Sequence, residues 1–394
     1  MAVTGTRDAD PASPRTANLA AVLRALRTGP LSRTQLAARC GIAKSAVPGL
    51  LTELAGRGLV RPAGVLPGNG RPSRLVELHG EDAYALALSI EADRLSALVT
   101  DLSGRVLAER AETVDVAALG LQRGMDELAH LAHRVLPGAP VGVAISVPGL
   151  VDSAAAVLRL APALRWRDAE IAGLMAARLD LPADAIAVDN EANLGALAES
   201  AAGTGELFYL SGGTAVGGGL VSGGAILRGA RGFAGEVGHI AVDPSGERCS
   251  CGRTGCLETK ANLAAVLRAA APPGDPLHDP ALGVEGRVAQ LKHRVRHGDQ
   301  RAATAVHGLG VALGIALSTV VDVLDPDVVV LGGYFAELGD WLVEPIRVEL
   351  AVRPLGHATV VPSRLGLRAP LRGAAHLAAE RLFANPTLIE EASV

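Results

Sequence analysis

Residues 232–258 have the sequence GFAGEVGHIAVDPSGERCSCGRTGCLE, the most informative stretch of the chain. Three of the four cysteines, Cys249, Cys251 and Cys256, lie in this stretch, and His239 stands ten residues before the first of them. Three thiolates and one imidazole suit tetrahedral Zn²⁺, and four protein ligands leave no open coordination position. We predict one structural zinc ion per chain, held by a loop over residues 239–256. A cluster of free thiols is the alternative.

The charge of the chain is divided unevenly along its length. The net charge over all 394 residues is -4, but residues 1–80 carry eleven Lys and Arg against four Asp and Glu. This N-terminal segment has a net charge of +7, so residues 81–394 carry -11. A basic segment joined to an acidic body is typical of a nucleic-acid-binding module fused to another domain.

The basic segment has the pattern of a helix-turn-helix. After a flexible tail over residues 1–16, one amphipathic helix is predicted from Asn18 to Arg27. A second helix starts after Ser32, which forms a capping box with Gln35. A third helix carries the apolar residues from Val47 to Leu54 on one side. Helix, short turn and helix is the arrangement in which the second helix of the pair enters the major groove of DNA.

Two predicted strands from Leu59 to Leu78, joined by a Gly/Pro loop, form the wing of a winged helix. The sequence thus predicts a DNA-binding domain over residues 17–80, mostly α with a β wing. Pro48 predicts a bent or short recognition helix, because its ring clashes inside a helix. Use of the domain for protein contacts alone is the alternative to DNA binding. The candidate DNA contacts are Arg33, Lys44, Ser45 and, at the wing tip, Arg71.

The acidic body alternates strands and helices, which predicts an α/β domain over residues 83–394. No apolar run approaches the ~20 residues that span a bilayer, and residues 1–18 lack the apolar core of a signal peptide. We therefore predict a cytoplasmic protein with no membrane partner.

Five segments of the body, in this order, resemble the ROK family (repressors, open reading frames, kinases). The resemblance extends from about Tyr84 to the C-terminus. It implies a two-lobed, actin-like (ribonuclease-H-like) fold with a sugar in the cleft, here near residues 190–258. The N-terminal domain is similar to that of the family's repressors that respond to xylose, glucose or N-acetylglucosamine. The segments are Ser146–Asp152, Val188–Asn193, Gly232–His239, the cysteines with Leu257-Glu258, and Val330–Gly333.

The resemblance also implies roles for individual residues. Asn190, Glu236, His239 and Glu258 would meet sugar hydroxyls, and His239 would also bind zinc. Carboxylates and an amide at several angles satisfy the donors and acceptors of adjacent hydroxyls. Glu191, counted with the sugar-binding set, stands where the kinases of the family carry their catalytic aspartate.

Two segments depart from the kinases of the family. Ser89–Arg94 replaces their Asp-x-Gly-Gly-Thr phosphate loop, and Glu91 and Asp93 in it would repel a phosphate. Ala215 replaces a usual glycine of the second phosphate segment, whose remaining glycines we interpret as a structural hairpin. We therefore assign no catalytic residue and predict that the protein is not an enzyme.

A third departure concerns the ligand. Ala163 stands where the family often has a sugar-binding asparagine. Arg165 or Trp166 would offset this loss, or the ligand differs, or the cleft binds none.

The sequence therefore predicts a transcriptional repressor that binds a double-stranded DNA operator and responds to a sugar. Two half-sites at fixed spacing need two DNA-binding domains, which predicts a homo-oligomer, either a dimer or a tetramer. Two alternatives stay open. One is an active sugar kinase with a fused DNA-binding domain, and the other is a regulator whose cleft docks a protein instead of a sugar.

Overall fold

The secondary structure is that of a computed structural model, which describes residues 13–66, 73–200, 205–352 and 358–391. Its helices are α1 (Pro14–Ala25), α2 (Arg33–Cys40), α3 (Val47–Gly56), α4 (Val116–His133), α5 (Ile171–Leu179), α6 (Glu191–Ser200), α7 (Leu257–Ala261), α8 (Leu263–Ala270), α9 (Gly283–Arg296), α10 (Gln300–Leu324), α11 (Tyr334–Glu337), α12 (Gly339–Ala351) and α13 (Ala369–Ala384). Its strands are β1 (Leu31–Ser32), β2 (Val60–Leu66), β3 (Ser73–Leu78), β4 (Tyr84–Ile90), β5 (Arg94–Thr100), β6 (Val106–Thr113), β7 (Pro140–Val147), β8 (Leu150–Asp152), β9 (Val157–Ala161), β10 (Trp166–Ala169), β11 (Ile186–Asn190), β12 (Leu207–Gly212), β13 (Val216–Ser222), β14 (Ala225–Ile226), β15 (Val328–Gly333) and β16 (Thr359–Pro362).

The N-terminal domain has three helices packed on a three-stranded sheet of order β1-β3-β2. The predicted capping box is confirmed, because Ser32 Oγ accepts from Gln35 N at 3.3 Å and Gln35 Oε1 accepts from Ser32 N at 2.8 Å. Pro48 predicted a bent or short recognition helix; the helix is not bent, and it is ten residues long. Helix α3 starts at Val47, so Pro48 is its second residue, where a missing N–H leaves no helical hydrogen bond unmade.

The body contains the same sheet topology twice. The first sheet has the order β11-β7-β4-β5-β6 and the second has the order β14-β13-β12-β15-β16. In each sheet three antiparallel strands come first in the chain. A fourth strand then pairs in parallel with the first of them, and a fifth pairs in parallel with the fourth. We call the part built on the first sheet lobe I and the part built on the second sheet lobe II. The predicted two-lobed fold is confirmed.

Helix α6 lies between the lobes, and its packing explains the glycines of the predicted hairpin. A Cβ on Gly219 would lie 2.3 Å from the carbonyl oxygen of Ala192, and a Cβ on Gly217 would lie 3.2 Å from the Cβ of Ala192. Strand β13 therefore needs glycine at position 219, and has little room for a side chain at position 217, to let the first turn of α6 approach it. This close packing accounts for the two glycines without any bound phosphate.

Helix α13, from the end of the chain, packs against both α6 and the N-terminal domain. A single cluster of buried side chains contains Leu19 and Leu23 of α1 together with Ala374 and Phe383 of α13. The guanidinium of Arg27 lies 3.8 Å above the ring of Phe383. The DNA-binding domain is thus joined to the body by a packed apolar contact as well as by the chain itself.

Ion pairs at the same junction add to this contact. Arg27 pairs with Glu380, and Arg24 Nε lies 3.9 Å from the second oxygen of that carboxylate. Arg57 donates to the carbonyl oxygen of Ile389. No sequence pattern predicts this junction, because the residues that it joins lie more than 300 positions apart in the chain.

Three element boundaries differ from the predictions. Helix α1 begins at Pro14 behind an N-cap at Ser13, so residues 14–16 belong to a helix rather than to a tail. The residue pattern predicts a strand from Ile186 to Glu191, but Glu191 is the first residue of α6. The run of small residues predicts a helix from Gly308 to Leu324, but helix α10 begins at Gln300, eight residues earlier.

Helix α10 is an exception to the expectation that no apolar run of the chain approaches the length of a membrane span. Among the described residues it is the one helix long and apolar enough for a span by length and composition. Twelve of its 25 residues are buried in the described structure, however, where they pack in the core of lobe II. A core helix of this kind passes the same test as a membrane span.

Candidate metal centre and ligand cleft

His239, Cys249, Cys251 and Cys256 come together as the sequence predicts. Their ligand atoms all lie within 4.8 Å of one another. The Sγ atoms of Cys251 and Cys256 are 3.6 Å apart, and Cys249 Sγ is 3.6 Å from His239 Nδ1. Tetrahedral zinc with bonds of ~2.3 Å to sulfur would hold two sulfurs about 3.8 Å apart. The donor set and its spacing therefore fit a four-coordinate metal ion.

The loop that carries the cysteines is folded by its own backbone. Antiparallel bridges pair Ala241 with Cys256 and Arg248 with Thr254. Gly255 has φ +71°, and a Cβ there would lie 1.6 Å from the carbonyl oxygen of Asp243. Glycine is required at position 255 for both reasons, and it brings Cys256 back beside the other thiols.

The two ring nitrogens of His239 have different neighbours. Its Nδ1 points to Cys249, whereas its Nε2 lies 3.7 Å from the carboxylate of Glu236. Burial raises the pKa of Glu236, with a further rise from the charge of Glu258, while His239 opposes the shift. The structure thus brings Glu236, His239 and Glu258 together, and one imidazole can face the metal and the ligand cleft at the same time.

Most of the hydrogen-bonding groups of the Asn190 side-chain amide are bonded to the backbone of the chain. Its Nδ2 donates to the carbonyl oxygen of Gly149 at 2.8 Å, and its Oδ1 accepts from Ala192 N at 2.8 Å. The side chain therefore caps α6 and anchors the turn that follows β7. One N–H of the amide is left for a ligand.

Glu91 and Glu191 face each other in the cleft, on the side where the kinases of the resembled family bind phosphate. They line one cavity together with Pro148, Thr214 and Gly333. Burial raises the pKa of Glu91 to about 8, and the charge of Glu191 adds to the rise. Burial also raises the pKa of Glu191 to about 7. An anion can bind beside these two carboxyls only while both are protonated, because an ionised carboxylate would repel it.

These raised pKa values predict a pH-dependent effect of the substitution Glu91→Gln. A carboxyl whose pKa is about 8 in the folded chain and 4.5 in the unfolded chain favours folding while it is protonated. Its contribution is present below about pH 4.5 and is lost as the pH rises through about 8. Because the group is half-exposed, we expect Glu91→Gln to stabilise the protein by only ~1–2 kcal/mol at pH 9, and by less at pH 5.

Urea unfolding at pH 5, 7 and 9 measures this effect. Glu344→Gln on the exposed face of α12 is the matched control, and its free energy of unfolding should follow that of the wild type. A stabilisation by Glu91→Gln that does not grow with pH would contradict the assignment.

The predicted DNA contacts are placed in part. Arg33 is the first residue of α2, and Lys44 and Ser45 form the turn before α3. All three are exposed on the N-terminal domain. Arg71 lies outside the described residues. Lys44 and Ser45 thus precede the recognition helix.

Of the two residues near Ala163 that were candidates to replace the missing asparagine, one is buried and one is exposed. Trp166 is 5% exposed and packs in the core of lobe I against α4, where a Cβ on Gly124 would lie 3.1 Å from its ring. It is therefore a core residue and not a replacement for the missing asparagine. Arg165 is exposed, with φ +58°. Cys40, the remaining cysteine, packs beside the core of the N-terminal domain.

Comparison with known proteins gives consistent matches for both parts of the chain. Residues 85–381 match the ROK family, and residues 16–64 match the IclR helix-turn-helix domain. The xylose repressor of Bacillus spizizenii is 28% identical over 374 residues, covering 91% of this chain and 93% of the repressor. A ROK family transcriptional regulator, a homolog of the E. coli MLC protein, superimposes with a TM-score of 0.75 and 25% identity, covering 94% of this chain and 97% of its own. A ROK family glucokinase from Streptomyces griseus, solved with glucose and AMPPNP, has a TM-score of 0.65 and 29% identity, covering 76% of this chain and 100% of its own.

Proposed function

Because the chain belongs to the ROK family and carries a helix-turn-helix domain in front of its ROK body, we propose that it is a transcriptional repressor that leaves its DNA operator when a sugar occupies the cleft. The observation that supports this most strongly is the match to a xylose repressor over 91% of the chain. That match extends through both the DNA-binding domain and the body.

The proposed DNA interface consists of Arg33, Lys44, Ser45 and Arg71. Among the described residues, neither Arg33 nor Lys44 has an ion-pair partner, so both charges are available to phosphates. The excess of seven positive charges over residues 1–80 supports the same assignment. Two such domains in a homo-oligomer would bind two half-sites of the operator.

The proposed sugar site is formed by Asn190 and Glu191 from lobe I and by Glu236, His239 and Glu258 from lobe II. Carboxylates and an amide in this number suit a ligand with several neighbouring hydroxyls. We further propose that the four-residue cluster binds one structural Zn²⁺ through Nδ1 of His239. Such an ion would fix the loop between Glu236 and Glu258 and leave Nε2 of His239 directed to the cleft.

We propose that this body does not transfer phosphate. Phosphoryl transfer depends on positioned groups that neutralise phosphate charge. Here the corresponding part of the cleft presents Glu91 and Glu191, and the glycines of β13 are accounted for by the packing of α6. A coupled ADP-release assay with hexoses, pentoses and amino sugars tests this point, and turnover abolished by Glu191→Ala would establish a kinase.

Operator binding by the full chain is the direct test of the proposed function. We expect specific binding to the DNA upstream of its own gene, weakened by at least one sugar of a panel that includes D-xylose and D-glucose. Lys44→Ala should weaken the binding of every DNA sequence about equally and lower the salt dependence of binding by about one counterion. Electrophoretic mobility shifts at several salt concentrations measure both effects.

Lys292→Ala is the matched control, because it removes the same charge from lobe II, where Lys292 pairs with Glu337 at 2.7 Å. Its affinity for DNA should stay within about twofold of the wild type. Absence of DNA binding at low salt would rule out the repressor function. DNA binding that no sugar alters would favour a protein partner instead of a sugar.

A further inference from the structure

Two hydrogen-bonded ion pairs join lobe I to lobe II in the described part of the chain, and a third, longer pair links Glu109 of β6 to Arg368 after β16 at 3.8 Å. Arg94 of lobe I makes two hydrogen bonds to Glu285 of lobe II, at 3.0 and 2.8 Å. Asp189 of lobe I accepts from Nη2 of Arg228 at 2.5 Å and from its Nε at 3.1 Å. The first pair is substantially exposed, whereas the side chain of Asp189 is only 2% exposed.

Because Asp189 is buried, its carboxylate requires the ion pair with Arg228. A buried carboxylate that loses its only charged partner is left with an uncompensated charge, so a closed cleft and a neutralised Asp189 go together. An exposed pair is hydrated whether or not its partner is in place and has little influence on the position of the lobes. Breaking the Asp189–Arg228 pair is therefore expected to affect the closed position of the lobes more than breaking the Arg94–Glu285 pair.

Asp189 also determines the geometry of the proposed sugar site in lobe I. Its Oδ1 accepts from Asn190 N at 2.8 Å and from Asn193 Nδ2 at 2.9 Å. These bonds hold the turn at which β11 ends and α6 begins, and this turn carries Asn190 and Glu191. Each oxygen of Asp189 thus accepts two hydrogen bonds, one oxygen from its own turn and the other from lobe II.

Arg228 is connected to the other half of the site. It lies two residues after β14, and its carbonyl oxygen accepts from Ala234 N at 3.0 Å. Ala234 leads to Gly235, whose carbonyl oxygen accepts from Gly218 N at 2.9 Å, and then to Glu236. One side chain therefore joins the segment that carries Glu236 and His239 to the turn that carries Asn190.

We propose that Arg228 is a positioning residue of the sugar site: it neutralises Asp189 from the opposite lobe and thereby sets the Asn190–Glu191 turn for the ligand without touching the ligand itself. The proposal rests on the sugar-binding function proposed above. It predicts that cleft closure and the alignment of the hydroxyl-binding groups are one event, because both need the same ion pair.

Arg228→Met, which keeps most of the aliphatic stem, tests the proposal. Calorimetry with D-xylose, D-glucose and N-acetyl-D-glucosamine as probes should give an affinity at least tenfold lower than that of the wild type for whichever sugar binds. Arg228→Lys should recover part of the loss, because it restores the charge but not the two-pronged geometry of the guanidinium. Arg94→Met is the matched control and should stay within threefold of the wild type.

The double variant Asp189→Asn with Arg228→Met separates positioning from general destabilisation. If Arg228 acts through Asp189, the second substitution adds little to the loss of affinity caused by the first. Hydrogen exchange supplies a readout that needs no ligand. The amides of residues 191–200 should exchange at least tenfold faster in Arg228→Met and at the wild-type rate in Arg94→Met.

The outcomes are distinct. Unchanged affinity and unchanged exchange in Arg228→Met would overturn the proposal, and so would an equal loss in Arg94→Met. If none of the three probes binds the wild type, the sugar-binding function is what fails. In that case the amide exchange rate of residues 191–200 is the test of whether Arg228 holds the turn. A wild-type exchange rate in Arg228→Met would then overturn the positioning role of Arg228.

Discussion

Replacing Cys256 with serine is expected to abolish the proposed zinc binding and to lower the melting temperature by about 10 °C. Cys256 is fully buried, and its Sγ lies 3.6 Å from that of Cys251. Structural zinc contributes ~10–16 kcal/mol in isolated zinc-finger peptides. Here the surrounding lobe has its own core, so we expect a loss of ~3–5 kcal/mol, at roughly 2–4 °C for each kcal/mol.

The loss would extend beyond the metal centre. Cys256 is directly followed by Leu257 and Glu258, the start of α7, and Val216 N donates to Glu258 Oε2 at 3.4 Å. Without the metal, Glu258 and Glu236 are no longer held at a fixed separation. We therefore expect the response of operator binding to sugar to disappear, while DNA binding itself persists below the melting temperature.

Elemental analysis and thermal unfolding of the full chain measure the two effects. Cys40→Ser is the matched control, because Cys40 lies in the N-terminal domain, where a serine can keep the donation to the carbonyl oxygen of Ala21. This variant should retain one zinc per chain. Less than half an equivalent in the wild type, or full metal content in Cys256→Ser, would refute the zinc assignment.

Gly373→Ala is the second substitution with a large expected effect. A Cβ at this position of α13 would lie 1.8 Å from the carbonyl oxygen of Leu194 and 2.5 Å from its carbon. Both atoms belong to the backbone of α6, so no side chain can move aside, and the two helices must separate. We expect a loss of about 3 kcal/mol in the free energy of unfolding.

Gly308→Ala provides the matched control on α10. Gly308 is exposed, and a Cβ there meets nothing within 4 Å. Alanine should stabilise this helix by up to ~1 kcal/mol, because it restricts the unfolded chain. Denaturant unfolding of both variants measures the difference. A change of less than about 0.5 kcal/mol in Gly373→Ala would contradict the close packing of α13 on α6.

The contact at Gly373 has a functional consequence as well. Helix α6 begins at the proposed sugar site, and α13 carries Glu380 and Phe383 to the DNA-binding domain. A displacement of α13 would therefore alter the position of that domain on the body. We expect Gly373→Ala to reduce the effect of sugar on operator affinity even at temperatures at which the protein is folded.

Local patterns were sufficient for the parts of the molecule that local chemistry defines. The capping box of Ser32 and Gln35 is a contact between residues three apart, and the cysteine cluster is closed by a loop of eighteen residues. In both cases the residues that interact are close in sequence, so their types and spacing specify the geometry. Pro48 was misjudged because its effect depends on where the helix starts, and boundaries depend on tertiary packing.

Contacts between distant segments did not follow from any pattern. The pairing of Asp189 with Arg228, the close approach of Gly373 to Leu194 and the junction of Arg27 with Glu380 each need a fold before they exist. Glu91 illustrates the same point for electrostatics. Its sequence position suggested repulsion of phosphate, but its raised pKa follows from burial and from Glu191 on a distant strand-helix turn.

The sequence by itself therefore determined the family, the two-part organisation and the four residues of the His/Cys cluster, because these depend on residue types at short spacing within single segments. The tertiary structure alone decided how the parts communicate. It showed that α6 lies between the cleft and α13, and that α13 packs on the DNA-binding domain. That arrangement depends on long-range packing, because apolar side chains from segments hundreds of residues apart in the chain are buried against each other, away from water.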